Sequence, residues 1–351
     1  MNTEIVKILS LEDGGEIALK RAAEIIKDGG LVVFPTETVY GIGGDATNPK
    51  AAKKIYAAKG RPSDNPLIIH ISTPEEAEKY AYTSGLYYKL AERFMPGPIT
   101  LILKAKDSIP PETRGGLETV AVRCPEHKVA RELIRLAGVP IAAPSANISG
   151  SPSPTSAKHV IDDMNGRVDM IIDGGEAEFG LESTILKIDE NDTITLLRPG
   201  RITQKDIEAC IGKIEISGAV TAALAEGERV LSPGMKYRHY APKCPVVLID
   251  GAPSAAVRFI KEDAEDKRVA VVAYTEDTEL FSDELNAAEI IDFGARSDEL
   301  TQAHRLFSLL READKKSFDK IYAPLPSKEG IGLALYNRMI RAAAYNIVKL
   351  N

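Results

Sequence analysis

LVVFPTETVYGIGGDATNPKAAKKIYAAKGRPSDNPLIIHI, residues 31–71, is the stretch whose reading decides the fold of the first part of the chain. Two short β-branched runs, 31–34 and 67–71, are stopped by Pro35 and by Thr73-Pro74, so both read as buried strands. Between them lies one helix: Asn48 can cap it, Pro49 suits its first turn, 51–58 continue it and Gly60 ends it. Lys59, Gly60, Arg61 and Pro62 therefore fall where that helix stops, and two cations on a stiff turn suit an oxyanion clamp. The segment GIGGDA, 41–46, fits Gly-x-Gly-x-x-Ala, with Asp64 near the distance expected of a ribose carboxylate. It is not a dinucleotide fingerprint, because 35–40 separate the strand from the first glycine and the helix starts only near Pro49. A glycine-rich turn is expected there instead, and without a Gly-x-x-x-x-Gly-Lys-Ser/Thr sequence any nucleotide has to be held without a P-loop.

Upstream, residues 16–28 carry Ala18, Ala22, Ile25 and Ile26 at helical spacing and stop at Gly29-Gly30. Downstream, Thr73-Pro74-Glu75-Glu76 matches a capping box, and Ser84 caps a further helix to Phe94. Strands follow at 100–104 and 119–123, then a helix at 127–137 and a strand at 140–144 that opens into SANISGSPSP, 145–154, a loop crowded with hydroxyls and turn formers. A helix from Ser156, strands at 170–173, 183–188 and 193–197, and a helix capped by Thr203 close the first domain near Lys213. Residues 215–243 break this pattern, and SPGMKYRHYAPK, 232–243, is too rich in proline, aromatics and cations for a plain spacer. It reads as a lid over a site. From Pro245 strands at 246–249, 269–274, 290–293 and 321–323 alternate with helices, the last running from 332 to about 348. Strict alternation implies a small, parallel, Rossmann-like α/β domain, and no catalytic constellation is visible in it. The division expected is 1–214, a 215–243 linker and 244–351.

Composition removes several classes of function. With 44% hydrophobic and 27% charged residues the chain has the make-up of a soluble globular protein, and at 351 residues it exceeds one ordinary core. No apolar run approaches the ~18 residues of a membrane helix, and the first residues lack the apolar core of a signal peptide, so a cytoplasmic protein is expected. Three cysteines, Cys124, Cys210 and Cys244, form no Cys-x-x-Cys pair, and the five histidines are scattered, which argues against disulfides and against a metal site built by side chains. A net charge of -7 argues against a general nucleic-acid coat, so cations that matter must be local.

Each local candidate has a plainer reading. A lone Lys-x-Arg is usually a solvated helix end, but here Lys59 and Arg61 run into PSDNP, 62–66, a stiff polar turn that leads straight to a strand. His70 is as readily a core histidine as a functional one. Arg123 closes an apolar strand, where a buried charge calls for a ligand or a carboxylate. Ser145 and Asn147 can be simple turn chemistry, while Ser183 and Arg198 gain weight only from sharing a domain with the others.

Taken together these residues resemble a known family, the YrdC-like threonylcarbamoyl-AMP synthases, in the long form with a C-terminal Sua-type domain. The resemblance rests on PTETVYG (35–41), KGRP (59–62), NPL (65–67), PGP (96–98), Val122-Arg123, PSAN (144–147), GLEST (180–184), LRPG (197–200) and SPGMKYRHYAP (232–242). These motifs lie in the family's order between residues 30 and 243; beyond that the match is one of position and pattern. Gly44 stands where alanine is common and Met95 where tryptophan is common, and neither is a matched site residue. The resemblance implies a twisted mixed-sheet α/β domain followed by the Rossmann-like one. It implies that ATP, L-threonine and bicarbonate become L-threonylcarbamoyladenylate and pyrophosphate, for N6-threonylcarbamoyladenosine in tRNA. Magnesium arrives with ATP, no organic cofactor is used, and the tRNA itself is met by a separate transferase. Carried over motif by motif, Lys59, Arg61, Ser145 and Asn147 correspond to the catalytic centre, and Thr36, Tyr40, His70, Arg123 and Ser183 to threonine-binding positions. Lys59, Ser63, Thr119, Ser145, Ser153, Arg198 and Tyr237 correspond to ATP contacts. The rival readings are a double-stranded RNA binding module and a carbamoyl transfer enzyme of metal-centre maturation. The acidic balance opposes the first, and the lack of zinc-type cysteine pairs opposes the second.

Overall fold

A computed structural model describes residues 2–11, 15–223 and 240–350, and the chain divides into two units, each taken here by itself. Of the described residues, the first unit takes those up to 149 and 153–220, and the second takes 150–152, 221–223 and 240–350. The first unit runs β1 (Glu4–Lys7), α1 (Gly15–Lys27), β2 (Val32–Phe34), β3 (Gly41–Asp45), α2 (Pro49–Lys59), β4 (Ile68–His70), α3 (Gly85–Phe94), β5 (Ile99–Lys104) and α4 (Pro111–Arg114). It continues through β6 (Thr119–Arg123), α5 (Lys128–Ala137), β7 (Ile141–Ala142), α6 (Ala157–Met164), β8 (Met170–Asp173), β9 (Thr184–Ile188), β10 (Ile194–Arg198), α7 (Gln204–Ile211) and β11 (Glu215–Ile216). Among the described residues these strands join into one mixed 11-stranded sheet, in the order β1-β8-β2-β3-β7-β4-β6-β5-β9-β10-β11.

The capping expected for α2 is present: the Asn48 side chain accepts from the backbone of Lys50, and Gly60 ends the helix in the left-handed conformation at φ 60°. The glycine-rich segment is not a turn. It is strand β3, antiparallel to β2 and to β7, with Val32 opposite Gly43 and Phe34 opposite Gly41. A Cβ on Gly43 would lie 2.6 Å from the Phe34 ring and 2.7 Å from Ile141, so glycine is there to let two core side chains close over the strand. The capping box at Thr73 is also not made. Glu76 accepts instead from the backbone and hydroxyl of Ser72, and Pro74–Lys79 form a 3₁₀ turn. Strand β11 pairs with β10, which carries the first unit's sheet past residue 214.

On one face of the sheet α1 and α5 pack over β2 and β8: Leu19, Ala22, Ile26, Val129, Leu133 and Ile134 cover Val32, Phe34, Met170 and Ile172. Each fully buried leucine or isoleucine there contributes about 1.5–3 kcal/mol. A second apolar cluster, Ile68, Ile102, Ala121, Ile185 and Leu197, comes from β4, β5, β6, β9 and β10. Ile68 and Ala121 are register partners, as are His70 and Arg123 two residues further on. Strand alternation therefore sets His70 and Arg123 on the same face as this apolar floor.

The second unit runs β12 (Val246–Asp250), α8 (Pro253–Asp263), β13 (Val269–Ala273), α9 (Thr278–Glu284), β14 (Glu289–Asp292), α10 (Glu299–Lys316), β15 (Lys320–Pro324), α11 (Gly332–Ala342) and β16 (Ile347–Lys349). Its sheet is parallel throughout, in the order β14-β13-β15-β12-β16. The last helix is shorter than the sequence suggested. Ala344 at φ 49° and Tyr345 at φ 63° turn the chain out of the helix, and β16 then adds to β12. Among the described residues no helix is long and apolar enough to cross a membrane.

Candidate active site

Most of the residues singled out in the first unit form one connected polar cluster, buried except for the half-buried Ser145. Lys59, the last residue of α2, is 2% exposed, and its ammonium donates to the carbonyl oxygens of Ser145 and Asn147, the latter at 2.7 Å. Ser145 donates its hydroxyl to Asn147 Oδ1 at 2.6 Å, and the Lys59 carbonyl accepts from the backbone of Ser149. The cation thus lashes the 145–149 loop to the end of the helix. Strand β3 continues the link, because Gly41 bridges to Ser145 and the backbone carbonyl of Tyr40 accepts from Ala146.

Residues 36–40 fold back on themselves. The Thr36 hydroxyl donates to the Val39 carbonyl at 2.6 Å and lies 2.8 Å from the Thr38 hydroxyl, while the backbones of Thr38 and Val39 donate to Thr36 Oγ1. Beside this turn Arg123 reaches Glu37 Oε1 at 2.6 Å and the Thr38 hydroxyl at 2.9 Å, and both partners of the ion pair are 6% exposed. The remaining Glu37 oxygen accepts from the backbone of Glu126. Nη2 is therefore committed, whereas Nε, on the same edge of the guanidinium, is buried without a hydrogen-bond partner. A buried donor with no acceptor is costly, which makes this edge of Arg123 suited to an incoming oxygen.

The opposite wall comes from 153–154 and 179–183. The backbones of Phe179 and Gly180 donate to the carbonyls of Glu37 and Thr38, and Tyr40 donates to that of Pro154. Ser153 donates to Glu182 Oε1 at 2.5 Å. Ser183 Oγ sits 2.8 Å from the Thr100 hydroxyl and accepts from Arg198 Nη2 at 3.1 Å, while Arg198 Nε donates to the Ser183 carbonyl.

His70 is 2% exposed, with Nδ1 at 3.3 Å from the Ile141 carbonyl and its ring edge-on to Phe34. Burial, reinforced by the neighbouring Arg123 guanidinium, pushes its pKa down to about 3. A neutral imidazole can give or accept a hydrogen bond here, but it is a poor proton acceptor.

The cluster thus contains Lys59, Ser145, Asn147, Thr36, Tyr40, His70, Arg123, Ser153, Ser183 and Arg198. Tyr40 takes part through its backbone; its hydroxyl accepts from Gly174 and donates to the Gly175 carbonyl, which fixes a neighbouring turn. Arg61 donates to the carbonyls of Asn65 and Pro66 and stiffens the turn after α2, on which Ser63 is exposed. Thr119 opens the strand that Arg123 closes and shares its face, four residues or about 13 Å away. Tyr237 and most of the expected lid lie outside the described residues. Four members were not singled out from sequence as site residues: Glu37, Thr38, Thr100 and Glu182. For Glu37 a signal existed, since a buried cation at the end of β6 demands a carboxylate and PTETVYG supplies one. Among the described residues no group of three or more His, Cys, Asp or Glu is arranged to hold a metal ion.

Buried cations, hydroxyls and an apolar floor share one mixed α/β sheet, and comparison with known proteins identifies the class of enzyme to which such a chain belongs. The Sua5/YciO/YrdC family model, described as "Telomere recombination", matches residues 24–200, and the model described as "Threonylcarbamoyl-AMP synthase, C-terminal domain" matches 202–344. The threonylcarbamoyl-AMP synthase of Pyrococcus abyssi is 44% identical over 341 residues, covering 95% of this chain and 96% of the relative. That of Bacillus subtilis is 43% identical over 334 residues, 94% of each chain. The crystal structure of P. abyssi Sua5 complexed with L-threonine matches with a TM-score of 0.90 at 42% identity, covering 99% of this chain and 100% of that one. This chain belongs to the Sua5/YciO/YrdC family, in the long form that carries a C-terminal Sua5 domain.

Proposed function

We propose that the protein is a threonylcarbamoyl-AMP synthase, forming L-threonylcarbamoyladenylate and pyrophosphate from ATP, L-threonine and bicarbonate in the cytoplasm. The observation that carries this reading is that segment 36–41 ties the Lys59, Ser145 and Asn147 group to Arg123 and, through the backbones of Phe179 and Gly180, to the segment that carries Ser183. It is supported by similarity over nearly the whole chain to a protein solved with L-threonine.

The ammonium group of threonine and bicarbonate combine to carbamate and water with release of one proton to solvent. A carbamate oxygen then forms a bond to the α-phosphorus of ATP as the bond to the bridging oxygen breaks and pyrophosphate leaves. Every reacting partner carries negative charge, so fixed cations facing the developing charge lower the barrier. Arg123, with Nη2 committed to Glu37, receives the threonine carboxylate on its unpartnered Nε, beside the hydroxyls of Thr36 and Ser183. Lys59, Arg61 and Arg198 face the phosphates and the carbamate, with Ser145, Asn147 and Ser153 as hydrogen-bonding positions and Ser63, Thr119 and Tyr237 as further ATP contacts. Magnesium enters with ATP as part of that substrate and neutralises the phosphates. His70, held neutral, orients threonine and does not take the ammonium proton. The adenylate passes to a separate transferase, so tRNA is served only indirectly.

Incubation with magnesium-ATP and labelled bicarbonate, with and without L-threonine, tests the reading. Threonine-dependent pyrophosphate and a labelled adenylate are expected. Their absence at high enzyme concentration overturns it, and a chain that instead retards double-stranded RNA in a gel belongs to a different class.

A further inference from the structure

The second unit contains a cavity of its own, apart from every residue of the cluster above. It lies at the carboxyl ends of the parallel strands, against Ala273 at the end of β13, Tyr274 after it, and Ala323 and Pro324 at the end of β15. These two strands are neighbours, and the chain leaves them in opposite directions, from β13 outward to β14 and from β15 across β12 to β16. Such a reversal opens a crevice between the outgoing loops, the place where doubly wound sheets bind small molecules.

The crevice is narrow and two-toned. Its floor is apolar, lined by Ile249, Ala256, Val271 and Phe281, and its volume of about 40 Å³ is space for roughly three water-sized atoms. An apolar floor offers water no partners, so a short branched hydrocarbon fits it better than water does. The outer wall carries the cation Arg296 and the carboxylate Asp277, with the Glu276 carboxylate behind them on the Arg296 backbone. Arg296 donates to Asp277 Oδ2 at 2.5 Å, its guanidinium lies 4.3 Å above the Tyr274 ring, and its backbone donates to the Glu276 carboxylate. The Arg296 side chain is 55% exposed, so its remaining donors are open to a ligand.

A plain anion at this mouth meets the Asp277 carboxylate, and a plain cation meets Arg296. A zwitterion with a short branched side chain extends the Arg296–Asp277 pair into a four-charge arrangement, each end facing its opposite, and fills the floor. We propose that the second unit binds a free α-amino acid of valine size in this crevice, with its carboxylate on Arg296, its ammonium on Asp277 and its side chain between β13 and β15. This site takes no part in adenylate chemistry and does not depend on that reading.

Hydrogen exchange of the full chain tests it, with L-valine as the probe and glycine, isovalerate and isobutylamine as controls that each lack one of the three groups. L-Valine is expected to slow exchange in segments 248–256, 271–277 and 322–325, and the controls are not. Arg296→Gln, at an exposed position, is expected to weaken the valine effect about tenfold or more. Ala256→Leu, which fills the floor, is expected to abolish it, with circular dichroism to check folding. Unchanged exchange in the three segments at saturating valine, equal protection by glycine, or an undiminished effect in Arg296→Gln overturns the proposal. So does protection confined to segments 36–40, 68–70 and 119–123, which would put the amino acid in the first unit and leave the synthase reading intact.

Discussion

The two units put their chemistry in opposite kinds of place. In the first, Glu37, Lys59, Arg123, Ser183 and Arg198 are all less than a tenth exposed and are held by one another or by backbone carbonyls. In the second, the crevice floor is hydrocarbon and its charges stand at the rim. A mixed sheet brings polar side chains from several strands onto one buried face, whereas a parallel sheet offers a ligand mainly the loops after its strands. The lesson is energetic. Polar groups that bury one another are costly to separate, and exposed rim charges are cheap to lose.

The severest way to break this contrast is Glu37→Ala. It leaves Arg123 buried without its carboxylate and is expected to cost about 3–5 kcal/mol in urea unfolding. Amides of 68–70 and 119–123 lose exchange protection while those of 246–250 keep theirs. The double variant with Arg123→Ala recovers part of the loss, because no orphan charge remains. Arg296→Gln is the counterpart in the second unit and costs less than about 1 kcal/mol. Equal costs for Glu37→Ala and Arg296→Gln would erase the distinction.

Next in size is Lys59→Ala. On the proposed assignment, in which Lys59 faces the reacting phosphate, its removal is expected to lower pyrophosphate release about 10²- to 10³-fold under saturating substrates. Release within about twofold of the parent chain would reduce Lys59 to a tie between α2 and the 145–149 loop.

How far each unit could be read from sequence also differs, and in the reverse sense. In the second unit the strands from Val246 to Ala323 follow from alternation alone, because a sheet buried on both faces writes each strand as a short β-branched run between helices. Its crevice did not show, since Asp277 follows β13 and Arg296 follows β14, and the two meet only because those strands lie side by side in the sheet. In the first unit Lys59, Arg123 and Ser145 stood out by motif, but β1, β3 and β11 did not read as strands. Strand β3 is almost free of side chains, β1 is a short edge strand and β11 has only two residues, so periodicity had little to register.

Gly43→Ala probes the least legible of these. A Cβ at 2.6 Å from Phe34 and 2.7 Å from Ile141 forces one core side chain to move, and about 1–3 kcal/mol of stability is expected to go. Gly60, at the end of α2, has open space around its Cβ direction and a φ of 60°, so Gly60→Ala is strained by backbone conformation alone. Its cost is expected to be about 1 kcal/mol. A Gly43→Ala chain as stable as the parent in thermal unfolding would return β3 to the loose turn that its sequence suggests.

The smallest effect is read from pH. Buried beside Arg123, His70 stays neutral down to about pH 3, whereas in the unfolded chain it takes a proton near pH 6.5. Between these values the unfolded state binds the extra proton, so this residue's contribution to stability falls as pH drops from 6.5 toward 3. The slope approaches about 1.4 kcal/mol per pH unit. His70→Asn removes that slope, and the difference between the two chains, measured by urea titration at pH 7.5, 6.0 and 5.0, isolates it from the carboxylates that titrate in both. The same variant is expected to raise the threonine KM while leaving the pH profile of kcat near 6.5 unchanged, because a group already neutral there has no proton to lose. A limb near pH 6.5 that disappears in His70→Asn would show the imidazole titrating in the reacting complex. It would make His70 a base and not a positioning contact, and remove the strongest example of a polar group that the first unit's interior holds in a single charge state.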